Sequence, residues 1–336
     1  MQFGAFLPTF IHDQGAHRRS ALLDFARRAE SLGFDSIWVT DHLLRADQFY
    51  RVAWLEPMAV LKFVSAVTER VRLGTGILIV PLRDPVLLAK EIATLQDLSG
   101  NRFVLGAGTG WYPEEFAAVG RRKADRGTLT DEIVDLIDLL LTKESVDYEG
   151  RHFRLRGVSI EPRGERPPFW IAGGSQVARA ESPEKPQLAE RVLRRIVRGE
   201  GWMTRPTAAP EQIREDWERI RPAVEAEKGS GGEFVVSHEN FCHVVDTDDR
   251  DKALAVQREA YAGVMSAHRP FEYFQQVYLT GTPTDIVESL VARADAGVDY
   301  FMLHPLVADP DQLDLWMDLV IKPVQARMSG RAAGAG

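Results

Sequence analysis

The chain predicts a single closed (β/α)8 barrel of the TIM type, on two observations. Short apolar runs alternate with longer amphipathic segments roughly eight times along 336 residues. No composition shift interrupts the alternation, and α/β barrels of this length are commonly one domain. With 45% hydrophobic residues, the core needs neither a metal nor a disulfide. The barrel is expected over residues 1–328, with loop insertions at the C-terminal face of the strands. The Gly/Ala-rich 329–336 is expected to be a flexible tail.

Gln2–Pro8 reads as the first strand and Ala21–Leu32 as a helix with apolar residues at helical spacing, stopped by Gly33. Ser36–Thr40 (SIWVT) reads as a buried strand, and Glu56–Thr68 as a helix. Val71–Ile79 is a strand and loop, and Pro85–Leu98 a helix with proline in its first turn. Phe103–Gly108 is a fourth strand, followed by a polar stretch and a helix at Thr128–Leu141. Tyr148–Phe153 predicts a small hairpin arm around Glu149-Gly150. The alternation resumes with a strand at Phe169–Ala172, a helix near Gln187–Val197, a strand at Trp202–Thr204 and a helix at Glu211–Glu227. Beyond the Gly-rich turn Lys228–Gly232 come a strand (Phe234–Val245) and two helices (Asp249–Ala262, Thr284–Ala296). A last strand (Tyr300–Leu306) and a closing helix (Asp311–Val324) follow. The alternative, an open doubly wound sheet, rests on Gly106-Ala107-Gly108-Thr109-Gly110. That run lacks the third glycine of a dinucleotide fingerprint and has Trp111 in its place.

A net charge of −8 argues against nucleic acid and anionic membrane as partners, because phosphate neutralisation needs clustered Lys and Arg. The local basic run Arg121-Arg122-Lys123 is a solvated loop or lies near an anionic ligand. The lone Cys242 permits no internal disulfide and reads as a small buried residue. No apolar run is long enough to span a bilayer, and the first strand begins without a basic leader, so a cytoplasmic protein is expected. No metal site is expected, since His12 and His17 lack an HxH pattern.

In a parallel barrel ligands bind where the strands end, so polar residues just after apolar runs are the candidates. Asp41-His42 follows SIWVT and offers a carboxylate and an imidazole that can orient a ring and move a proton, or else a cap and a solvated side chain. Gly74-Thr75-Gly76-Ile77 lets a flat ligand approach the backbone, or forms a bulge at a barrel corner. Gly106–Trp111, with Gly108 at the strand end, clears side chains from the mouth, and Trp111 or Tyr112 can wall a pocket. Glu114 and Glu115 behind it read as helix-dipole partners rather than catalysts. Gly173-Gly174-Ser175 reads as an anion nest suited to a cofactor phosphate, or as an ordinary turn, and Met203-Thr204-Arg205 can add a hydroxyl and a guanidinium to that phosphate, or leave Arg205 at the rim. His152, His238, His243 and His304 read as structural or solvent-exposed.

The phrases DSIWVTDHL (35–43), LGTGILIVPLRDPVLLAKEIATLQDLSGNRFVLGAGTGWYPEEFAAVG (from residue 73) and PPFWIAGGS (167–175) resemble the luciferase-like flavin oxidoreductases. GEGWM, TGTPTDIVESL and AGVDYFMLHP extend the likeness almost end to end. The resemblance implies reduced FMN, or the deazaflavin coenzyme F-420, bound at the strand C-termini. It implies Asp41 and His42 against the ring, with Thr75, Gly76 and Ile77 behind it through a non-prolyl cis peptide. It further implies Gly173, Gly174 and Ser175 on the phosphate, with Met203 and Thr204 nearby. The deazaflavin-dependent sugar-phosphate dehydrogenases of the family carry a catalytic glutamate where this chain has Trp111. The segment Gln176–Pro186 is longer and more charged than is usual there.

The expected function is a two-component monooxygenase using reduced FMN from a separate flavin reductase, and O2, to oxidise a small organic substrate, with His42, Asp41 and Trp111 as catalytic residues. The alternatives are a deazaflavin-dependent dehydrogenase or reductase that transfers hydride, and a non-catalytic partner barrel. A homodimer is expected, since barrels of this family pair through helices of the second and third units. Leu61, Phe63 and Val64 suit such an interface, or the barrel wall.

Overall fold

The computed structural model describes residues 1–11, 18–175, 188–229 and 231–334. Eight strands run parallel in chain order: β1 (Gln2–Phe6), β2 (Ser36–Val39), β3 (Arg72–Thr75), β4 (Phe103–Gly108), β5 (Phe169–Ala172), β6 (Gly201–Met203), β7 (Val235–Phe241) and β8 (Tyr300–His304). β8 pairs back onto β1 from Gln2↔Tyr300 to Ala5↔Leu303, which closes the sheet into a barrel. The open-sheet alternative is thereby removed. Helices alternate with the strands and cover them, among them Arg18–Leu32, Pro57–Ser65, Pro85–Ser99, Arg126–Thr142, Pro210–Lys228 and Pro283–Asp295.

Elements whose two faces differ most in polarity lie within a few residues of their predicted bounds. Pro85–Ser99 shows why the ends were legible. Asp84 accepts from the Val86 and Leu87 N–H groups, Pro85 needs no donor, and Gly100 closes the helix in the left-handed region at φ 69°. The short helix Pro113–Ala118 starts at the paired acids read as dipole partners, and Phe271–Val277 lies where the sequence shows only a loop. The final helix passes through a π-helical turn at Met317–Ile321 and continues over Lys322–Gly334. It thus extends into the region expected to be a tail, because alanine is the best helix former and Arg331 pairs with Asp295.

Two layers of packing result. Outside the strands, Phe3, Ile37, Leu73, Phe103, Ile171 and Phe301 face the helices. Inside, Phe6, Trp38, Val104, Trp170, Met203, Tyr300 and Met302 plug the barrel. Trp38 dominates this plug. Its indole occupies the space a side chain would need at two neighbouring strands: a Cβ on Gly4 would lie 2.4 Å from its Nε1, and one on Gly74 2.3 Å from its Cε3. The Ser36 hydroxyl accepts from the Trp38 indole N–H and from the Tyr300 hydroxyl, so the buried polar atoms of the plug are paired.

Long connections gather over the C-terminal end of the barrel. Phe10–Ile11 pairs antiparallel with Ala53–Trp54, tying the loop after β1 to the loop after β2. A second apolar cluster, including Val52, Trp54, Phe241, Tyr261, Phe271, Phe274 and Leu306, roofs this end. The predicted hairpin is present as Val146–Glu149 against Arg154–Val158, held by Glu132 accepting from the Arg151, His152 and Phe153 N–H groups. Among the described residues, no helix is long and apolar enough to cross a membrane. Cys242 is buried, as its apolar surroundings predict.

Candidate active site

His42 leaves the end of β2 and enters a polar and aromatic enclosure; its side chain is only 7% exposed. Its Nδ1 lies 3.1 Å from Oε1 of Glu115. That oxygen also accepts from the Leu43 and Leu44 N–H groups at 2.8 and 3.2 Å. A carboxylate only accepts, so Nδ1 carries the imidazole proton and Nε2 presents its lone pair. Rings of Trp54, Tyr50 and Trp111 stand 5.0, 5.4 and 5.8 Å from the imidazole. Trp111 is thus a wall of the enclosure, and Phe49 packs edge-on against it at 4.7 Å.

Glu115 is the main residue the sequence reading passed over. Paired acids at a helix start read as dipole partners, and Glu114 on the exposed side fits that description. Glu115 is fully buried, and its Oε2 has no hydrogen-bond partner among the described residues. Only the turn of the Pro113–Ala118 helix, invisible in the hydrophobic pattern, swings it onto His42.

Asp41 bonds within the protein. Its Oδ2 accepts from Arg83 at 2.6 Å and from the Ile79 N–H at 2.8 Å, and its Oδ1 accepts from Arg83 at 3.1 Å. Both oxygens accept within the protein, so Asp41 holds the segment after β3 in place. Asp41→Asn should cost about 2–3 kcal/mol by weakening a charge-assisted pair. Urea unfolding would show it; an unchanged midpoint would mean the pair contributes nothing net.

The segment that Asp41 anchors contains a cis peptide between Gly76 and Ile77, as the resemblance implies. Thr75 is buried and donates to the Gly106 carbonyl at 2.9 Å, a bond within the barrel wall. Gly74 makes room for Trp38, Gly108 for the Ile77 side chain. Gly76 and the half-buried Ile77 are left at the mouth.

Glu239, on the inner face of β7, meets this segment from across the barrel. A Cβ on Gly76 would lie 3.2 Å from its Oε2. Among the described residues no group hydrogen-bonds to this carboxyl. Burial pushes it up to about 8, so it is protonated at neutral pH, with Tyr50 and Tyr278 as its titratable neighbours. The sequence carried a faint signal: alternation in β7 puts Val235, Ser237 and Glu239 on one face, and a carboxylate facing a barrel interior is costly. His304, at the inner end of β8, bonds Thr40 at 2.9 Å, stacks on Phe6 and is kept neutral by burial. The folded protein holds the Glu239 proton up to about pH 8, whereas an unfolded carboxyl releases it near 4.5. Stability therefore falls as pH rises between these values, and E239Q should flatten a plot of Tm against pH there. An unchanged slope would remove Glu239 as a neutral carboxyl.

The turn expected to form a phosphate nest makes several bonds within the protein. The Ser175 N–H donates to Oδ2 of Asp216 at 2.8 Å, and Gln212 donates to the Ser175 carbonyl and hydroxyl at 3.0 and 3.2 Å. The Gly173 N–H donates to the Met203 carbonyl, and the Gly173 carbonyl accepts from the Trp202 indole at 2.9 Å. Met203 belongs to the barrel plug, against Gly106. Thr204 is buried and bonds His238 Nδ1 at 2.7 Å, while His238 accepts from Arg293 at 3.1 Å. Met203 and Thr204 thus contribute to packing and to the barrel wall. Arg121 donates to the Pro81 carbonyl, and Arg122 pairs with Asp125 at 2.8 Å, so this basic run is largely spent within the protein. His12, His17 and Gln176–Pro186 lie outside the described residues.

A closed parallel barrel with an oriented imidazole just after β2 and a cis peptide just after β3 is the frame on which these residues sit. The chain belongs to the luciferase-like monooxygenase family, whose description matches residues 1–300. It is 35% identical over 162 residues to an F420-dependent glucose-6-phosphate dehydrogenase of Amycolatopsis mediterranei, covering 46% of this chain and 48% of that protein. It is 38% identical over 160 residues to the enzyme of that name from Kineococcus radiotolerans, covering 46% of each. The chain thus matches about half the length of these relatives. In fold it is similar to an F420-dependent secondary alcohol dehydrogenase at a TM-score of 0.77 and 20% identity, covering 96% of this chain and 98% of that one. It is also similar to the EDTA monooxygenase of Chelativorans sp. BNC1, at 0.75 and 16%, covering 97% and 94%.

Proposed function

We propose that this protein is an oxidoreductase that holds a flavin-type ring between Gly76–Ile77 and His42, with the deazaflavin coenzyme F-420 as its hydride carrier. The observation that carries the reading is the His42–Glu115 pair at the strand ends, joined through Tyr50 to Glu239, which itself reaches Gly76 at the cis peptide. When bound, the ring supplies the hydride chemistry. His42 Nε2 takes a proton from a substrate hydroxyl or returns it, while Glu115 holds the imidazole in that tautomer. Glu239 offers a hydrogen bond without adding charge. Tyr50, Trp54 and Trp111 exclude water and favour a small, apolar organic substrate. The half-length relatives named for this cofactor support the choice.

A second reading, the FMN-dependent monooxygenase fed by a separate reductase, is favoured by Trp111. This residue stands where the resemblance places a catalytic glutamate, and its ring encloses His42. The test is a side-by-side titration with FMN and the deazaflavin, oxidised and reduced, read by ring fluorescence. Preference for the deazaflavin is expected. Preference for reduced FMN with O2 uptake would transfer the account to the monooxygenase, and binding of neither would sink both.

We infer a homodimer as well. Leu87 and Leu98 are 69% and 68% exposed on one face of Pro85–Ser99, and Phe63 on the neighbouring helix is 37% exposed. Leu61 and Val64 are buried in the barrel wall instead. Sedimentation of the wild type against L87E/L98E tests it; identical mass for both would remove this face from pairing.

A further inference from the structure

We propose that Asp216 sets the charge of the phosphate group this protein accepts, admitting a monoanionic phosphodiester and resisting a dianionic phosphomonoester. The inference rests on the proposed cofactor reading only for the kind of molecule that carries the phosphate. Its basis is the turn after β5.

Gly173-Gly174-Ser175 follows a buried strand and has the composition of an anion nest, in which successive N–H groups converge on negative charge. Here an acid of the chain itself receives one of those N–H groups. The Asp216 carboxylate is 5% exposed and receives the Ser175 N–H at 2.8 Å. Gly174 has no side chain where Asp216 arrives: a Cβ there would meet Oδ2 at 3.2 Å. Gln212, one helical turn before Asp216 on Pro210–Lys228, grips the Ser175 carbonyl and hydroxyl, so two residues at i and i+4 clasp the turn together. The glycine and the amide that invite a phosphate thus already serve a buried negative charge.

Like charges brought together out of water oppose each other strongly. A phosphomonoester such as that of FMN approaches with close to two negative charges at pH 8, whereas a phosphodiester approaches with one. The diester therefore meets roughly half the repulsion from a fixed carboxylate, and a ligand with no phosphate meets none. Charges around Asp216 are mixed: burial raises the carboxyl above its usual range, Arg219 on the same helix eases its ionisation and Glu215 opposes it, and the stem of Arg205 passes the same Gly174 Cβ position at 3.4 Å.

The experiment compares riboflavin, FMN and the monomethyl ester of FMN, which share one ring, at pH 8 by fluorescence quenching. In the wild type, the ester should bind about tenfold more tightly than FMN, with FMN no better than riboflavin. In D216N, where the amide oxygen can still receive the Ser175 N–H, FMN should gain about tenfold or more and riboflavin less than about twofold. FMN binding more tightly than its ester in the wild type, or D216N shifting FMN and riboflavin alike, would overturn the proposal. The same variants are heated with inorganic phosphate, which needs no ring. A rise in Tm in D216N and none in the wild type supports the role of Asp216 even if no flavin binds, in which case the cofactor reading alone fails. Equal rises, or none in either, would overturn the proposal irrespective of the flavin result.

Discussion

His42→Ala is expected to lower turnover by about 10²–10⁴-fold while leaving cofactor affinity within about twofold. The expectation follows from how the imidazole is held. Glu115 receives Nδ1 and two backbone N–H groups on one oxygen, so the ring has one orientation and one tautomer, and Nε2 is the atom left to move a proton. E115Q should give a smaller loss of kcat than H42A and a displaced pH profile, since the amide can still accept from Leu43 and Leu44 but no longer stabilises a cationic imidazole. Steady-state rates across pH, together with fluorescence titration of the cofactor, separate these effects. Full turnover in H42A would remove the imidazole from the chemistry. Loss of binding in step with turnover would make it a structural wall.

Trp38→Ala should destabilise the protein by about 3–5 kcal/mol, the range for emptying a large aromatic side chain from a packed core. Trp38 is fully buried, packs on Trp170 at 5.2 Å and Phe6 at 6.5 Å, and donates to Ser36. G74A should cost about 1–3 kcal/mol for the opposite reason, since its Cβ would enter the space of the indole. The two changes share one volume, so together they should cost less than their sum, and a double-mutant cycle by urea unfolding measures the difference. Strict additivity would show that Gly74 is needed for something other than Trp38. The plug also bears on the candidate site, since Ile77 packs against it and Gly76 lies over its Phe6.

The barrel and the site were not equally legible. Strand and helix placement follows from whether apolar residues repeat every second or every third to fourth position, and that pattern is local. SIWVT, FVLGAG and FWIA could be read as strands without knowing their neighbours. Residues after strand ends could also be singled out as candidates, because a parallel barrel presents those ends at one face. What each suspect does was not legible. Asp41 and His42 are adjacent in the chain, yet one is bound to Arg83 and the other to Glu115, residues 42 and 73 positions away in sequence. Met203 packs into the barrel plug while the adjacent Thr204 bonds His238, partners that the sequence did not show.

Hydropathy period and glycine placement along the chain were thus enough to specify a closed alternating barrel and the end at which its chemistry gathers. They also mark the Asp41-His42, Gly76-Ile77 and Gly-Gly-Ser segments. Tertiary packing alone decided that Glu115 orients His42, that Glu239 reaches Gly76 from the far wall, and that Asp216 receives the Ser175 N–H. The physical reason is that a side chain's protonation and partners depend on what surrounds it in space. Burial and hydrogen bonding come from strands and helices far apart in sequence, and no local pattern encodes them.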